Sequence, residues 1–181
     1  EEAARRGLPN IKTMVEAIPH LVTDKSVNLF EKFGVFTRAE LESRAEINYE
    51  TYAKAINIEA RAMIDIASKH IIPAVIKYIT SLATSINQVK EACGDVCVDV
   101  QTELLSESSR LLSDTRDALK LLIEKVDKVA EKPHGREKAE FFLYDVVPVM
   151  NSLRTPVDKL EMIVNKEMWP MPSYGDLLFE V

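Results

Sequence analysis

The residues whose types and spacing could carry chemistry are few. Glu131-Lys132-Pro133-His134 has the Glu-x-x-His spacing that lets two side chains of one helix project together onto a di-iron centre. A proline inside the match puts it on a turn, so the carboxylate and the imidazole do not share a helix face. No second copy occurs, and no metal site is expected. Cys93 and Cys97 form a Cys-x3-Cys without a second pair or a nearby His, short of the four ligands of structural zinc. Two lone thiols fit a reducing cytoplasm better than a disulfide framework. His70, followed by Ile71 and Ile72, reads as a satisfied, partly buried imidazole, and His20 has no better claim to be a base. Ser106, Ser108, Ser109 and Ser113 point to different sides of one helix and lack a facing base, so no nucleophile pair can be assigned. Neither G-x-x-x-x-G-K-[ST] nor G-x-G-x-x-G is present. No catalytic, cofactor-binding or metal-ligating residue is expected in this chain.

The composition points to helix. Apolar residues make up 46% and charged residues 29% of 181 positions, enough for a real core in one domain. Five glycines are too few for a chain built on β-hairpins or phosphate loops, so the expected class is all-α. A net charge of -6 and a pI near 5.2 argue against a nucleic-acid partner, whose phosphates call for clustered Lys and Arg. The sequence has no apolar run of membrane-spanning length, and its start, Glu1-Glu2-Ala3-Ala4-Arg5-Arg6, lacks a signal-peptide core, so no membrane partner and a cytoplasmic location are expected. It also starts without Met in a charged, helical-looking stretch, which reads as a piece of a longer polypeptide.

The elements follow from apolar spacing. Residues 10–17 and 24–33 read as two short helices, the second capped by Thr23 and closed by Gly34. Thr37-Arg38-Ala39-Glu40 has capping-box form, and from Leu41 through Ala45, Tyr49, Tyr52, Ile56, Ala60, Met63 and Ala67 the steps are threes and fours. A helix continuing to about residue 92 would span ~80 Å, with a kink expected at Pro73. A second long stripe runs from Val100 to Val129, ending near Glu131. A third runs from Ala139 to Val164, passing Pro148 and Pro156 in phase. A break at Thr155, with Pro156 as the first helical residue, is the rival for that third segment.

Three long helices joined by short turns should pack as an elongated antiparallel three-helix bundle. The expected organisation is residues 1–36 as short helices and connector, 37–166 as the long-helix bundle, and 167–181 as an extended apolar tail. Helical rise alone brings the second long helix back only to about residue 60. Leu41, Ala45, Tyr49 and Tyr52 are therefore expected to be covered by the short N-terminal helices or by a neighbouring body. The tail, from Trp169 to Val181, has two prolines that oppose helix, yet it is dense in large apolar groups. Trp169, Tyr174, Leu178 and Phe179 are the candidate docking residues, since aromatic anchors dominate binding energy. The tail either folds over its own bundle or docks on another domain or subunit.

Several of these segments together carry a resemblance. Leu8-Pro9-Asn10-Ile11-Lys12-Thr13, Glu42-Ser43-Arg44, the run Tyr52-Ala53-Lys54-Ala55-Ile56-Asn57-Ile58-Glu59-Ala60, Ile71-Ile72-Pro73-Ala74 and the Trp-Pro-x-Pro-x-Tyr-Gly tail resemble the C-terminal region of type III glutamine synthetases. That resemblance implies a parent enzyme that joins ammonia to glutamate with ATP and Mg, built as a homo-oligomer of two stacked six-membered rings. It also implies that the metal-binding carboxylates and the nucleotide pocket lie upstream of this region. On this reading the chain is a helical accessory region serving packing, assembly or subunit communication, with the rest of the synthetase and neighbouring subunits as partners. The alternative is a stand-alone helical interaction or oligomerisation module.

Overall fold

The computed structural model describes residues 2–179, apart from the side chains of Ala4 and Tyr174. The fold is all-α, with no strand among the described residues. Its helices are α1 (Glu2–Arg5), α2 (Met14–Leu21), α3 (Asp24–Lys32), α4 (Arg38–Ile66), α5 (Ile72–Ala92), α6 (Asp99–Lys128), α7 (Arg136–Phe141), α8 (Val147–Ile163) and α9 (Tyr174–Phe179). The chain divides into two compact units, Glu1–Glu59 with Val126–Val147, and Ala60–Lys125 with Pro148–Val181.

Capping chemistry sets the helix starts. Glu16 N–H donates to Thr13 Oγ1 and the Glu16 carboxylate accepts from Thr13 N–H, both at 3.2 Å. This capping box places the first residue of α2 at Met14 rather than near Asn10, and the helix then runs through Pro19 to Leu21, a correction to the expected 10–17. Thr23 caps α3 as expected, accepting from Ser26 N–H. Gly34, at φ 64°, closes that helix in a Schellman arrangement: Gly34 N–H donates to the Glu31 carbonyl and Val35 N–H to that of Phe30. Thr37 N–H donates to Glu40 Oε2 at 2.7 Å, and Glu40 N–H donates back to Thr37 Oγ1, so the second capping box is also formed.

The prolines do not break the long helices. Pro73 is preceded by a π turn at Ala67–Ile71, in which Ile72 N–H reaches the Ala67 carbonyl, five residues back. Pro148 is preceded by the matching turn Phe142–Val146, where Val147 N–H reaches Phe142. A wider turn gives the pyrrolidine ring room against the carbonyl it would otherwise strike. Pro156 lies inside α8, so the rival break at Thr155 does not occur.

In the first unit, Val15 and Ile18 of α2, Ala45 and Tyr49 of α4, and Ala139 of α7 form one buried cluster, flanked by Val22, Tyr52 and Leu143. The short N-terminal helices do cover residues 45–52, but the start of the third long segment covers them too, which corrects the register expected from helical rise. Rise alone omits the reach of the non-helical residues 93–98, about 20 Å if extended, and of the turn at 132–135. In the second unit, Ile71, Val75, Tyr78, Leu111, Leu160 and Val164 pack together, so α5, α6 and α8 and the residues at their ends share one core. The helix surfaces carry acid-before-base pairs four apart, Glu50 with Lys54 at 3.0 Å and Asp65 with Lys69.

Candidate functional site

The residues singled out for chemistry stay apart. Glu131 ends a short 3-10 turn and Lys132 is extended, so the Glu131 and His134 side chains belong to different local structures, and both are exposed. His20 is exposed. His70 is also exposed, which corrects its reading as a partly buried imidazole. It lines an open cavity of about 430 Å³ with Lys69, Lys77 and Glu167. Ser108 is fully buried, whereas Ser106, Ser109 and Ser113 are exposed. Among the described residues no group of three or more His, Cys, Asp or Glu is placed to hold a metal ion.

What the structure does build is the end of the chain. α8 stops at Ile163, and a turn follows in which Met168 N–H and Trp169 N–H both donate to the Asn165 carbonyl, at 2.9 and 3.0 Å. Asn165 Oδ1 accepts from Glu167 N–H at 2.9 Å, which fixes the turn from its other side. The chain direction that results packs Trp169, partly buried, against the core cluster of Ile71, Val75, Tyr78, Leu111, Leu160 and Val164. Its indole Nε1 is buried without a hydrogen-bond partner.

Beyond Trp169 the two prolines keep residues 170–172 out of helix, as the sequence implies, but the tail does not remain extended. Ser173 N–H and Ser173 Oγ both donate to Asp176 Oδ2 at 2.7 Å, while Asp176 N–H donates to Ser173 Oγ at 3.3 Å. This reciprocal cap starts α9 at Tyr174. Lys166 Nζ meets Asp176 Oδ1 at 2.9 Å and ties the short helix to the end of α8. The Lys166 ammonium, followed by the Ser173 hydroxyl and amide, holds the Asp176 carboxyl down at about 2. The Ser-x-x-Asp pattern was the available signal for this cap, and the neighbouring prolines obscured it.

The four candidate docking residues therefore separate. Trp169 is used by the core of its own unit. Leu178 and Phe179 are 71% and 80% exposed, and Leu177, not singled out from the sequence, is 67% exposed. The Tyr174 side chain lies outside the described ones, as do Glu180 and Val181. Three successive large apolar side chains thus stand in solvent on a helix that is pinned at its first turn.

Comparison with known proteins gives this geometry a context. The family described as "Glutamine synthetase C-terminal domain" matches residues 1–90. A glutamine synthetase of Butyrivibrio fibrisolvens is 31% identical over 181 residues, covering all of this chain and 26% of that protein. One from Bacteroides fragilis is 33% identical over 183 residues, covering 99% of this chain and 25% of its own length. A type-3 glutamine synthetase of Dictyostelium discoideum is 32% identical over 188 residues, again with 99% and 25% coverage. The chain spans about a quarter of the length of the curated relatives it matches.

Proposed function

We propose, from the premise that this chain belongs to the glutamine synthetase family as its C-terminal domain, that it serves as a helical accessory region through which the rest of a longer synthetase and its neighbouring subunits are packed and assembled. The parent activity is then ATP-dependent ligation of ammonia to glutamate in the cytoplasm. Its ATP and Mg are bound outside this region, and the assembly is a homo-oligomer of two stacked six-membered rings.

The observation that carries this reading is the state of α9. A six-residue helix is too short to be stable by its own hydrogen bonds, yet this one is capped by Ser173, tied by Lys166 and left with Leu177, Leu178 and Phe179 exposed. Burial of each such side chain is worth roughly 1.5–3 kcal/mol, so a complementary surface would recover the cost of ordering the segment. Trp169 belongs to the folding of the unit, and the residues after it to docking. Removing residues 173–181 from a full-length synthetase that carries this region should lower the assembled fraction in sedimentation velocity, with the isolated 181-residue chain keeping its helical circular dichroism. Undiminished assembly would overturn the proposal.

A further inference from the structure

Cys93 and Cys97 stand in the connector between α5 and α6, and both are exposed. The connector folds back on itself between them: Val96 N–H donates to the Cys93 carbonyl at 3.3 Å. Positive φ among the glycines occurs at Gly7, Gly34 and Gly135, and no described non-glycine residue has it, so Gly94 and Asp95 both have the signs of a type I turn. In such a turn the first and fourth Cα atoms lie within ~7 Å, and Cys97 is one step of ~3.8 Å further on. The Cys93 and Cys97 Cα atoms are therefore at most about 11 Å apart, a range that includes the ~4.4–6.8 Å a disulfide requires.

The two ends of the connector are anchored and its middle is open. Cys93 N–H closes α5 on the Val89 carbonyl at 3.0 Å, and Val98, 8% exposed, is buried just before α6. A Cβ placed on Gly94 would meet nothing within 4 Å, so the turn faces open space on that side.

We propose that Cys93 and Cys97 are a reversible thiol–disulfide site, oxidised within one chain by a low-molecular-weight disulfide such as oxidised glutathione. One cysteine thiolate attacks a glutathione sulfur, forming a mixed disulfide and expelling a glutathione thiolate. The second cysteine thiolate attacks the protein sulfur of that mixed disulfide and expels the other glutathione thiolate. Two protein thiols are oxidised, one glutathione disulfide is reduced, and the two thiol protons end on the two glutathione molecules. The product closes the turn covalently and fixes the path from α5 into α6.

The test exposes the full chain to oxidised glutathione at neutral pH, blocks the remaining thiols, and follows the tryptic peptide of residues 91–110 by mass spectrometry. The expected result is joint loss of both thiols, a peptide lighter by two hydrogens with no glutathione attached, and recovery on reduction. Cys97→Ser should instead stop at the mixed disulfide on Cys93. Wild-type peptide that retains glutathione, chains linked covalently to each other, or thiols that stay free would each overturn the proposal.

Discussion

Asp176 and Trp169 divide the end of the chain between them. Asp176 completes the Ser173 cap of α9 by accepting from Ser173 N–H and Oγ, and it pairs with Lys166; these bonds need the carboxylate. Its pKa is depressed from 3.8 to about 2, so the stabilisation it gives is complete above ~4 and is lost as pH falls through about 2. Lys166→Met removes the leading cause of that depression. The Asp176 carboxyl, followed by NMR titration, should then move back up towards 3.8, whereas an unmoved titration would show that Ser173 alone holds it. Trp169 acts through packing. Trp169→Ala should destabilise the chain, read as a lower melting temperature, by at most about 3 kcal/mol, the lower end of the range for fully buried rings, because the indole is only partly covered and its Nε1 has no partner. An unchanged melting temperature would mean that the ring contributes nothing to the core.

At the scale of elements, what the sequence made legible was whatever is written in local chemistry. The Thr37–Glu40 box, the Thr23 cap and the Gly34 closure were all readable, because each needs only residues a few positions apart. For α2 the spacing points to a start near Asn10, whereas Thr13 and Glu16 spell the same box and set it at Met14. The π turns were not legible: Pro73 and Pro148 announce a disturbance, but whether a helix kinks, breaks or widens depends on the packing on both sides. Here Ile71, Val75 and Tyr78 remain in one cluster after the turn, which favours a helix that widens and continues. Pro73→Ala restores a backbone donor without touching those contacts. It should leave far-UV circular dichroism unchanged and the melting temperature equal or higher, and a loss of helix would show that the proline is needed to hold the turn.

For the whole molecule, the candidate site was half visible. The density of apolar residues after Trp169 marked the tail, but exposure decides function, and exposure depends on which groups the fold uses. The sequence could not assign Trp169 to the core and Leu177 to the surface, because that split comes from the Asn165 turn and the Lys166–Asp176 tie. On the proposed function, α9 is a docking element of a larger synthetase. Hydrogen exchange at residues 174–179, compared between the isolated chain and the assembled full-length enzyme, tests it most directly. A one-turn helix with its apolar side chains in solvent should exchange almost as fast as an unfolded segment when alone, and at least about tenfold more slowly once covered. Equal exchange in the two states would mean that nothing covers α9 in the assembly, and the docking role would be wrong.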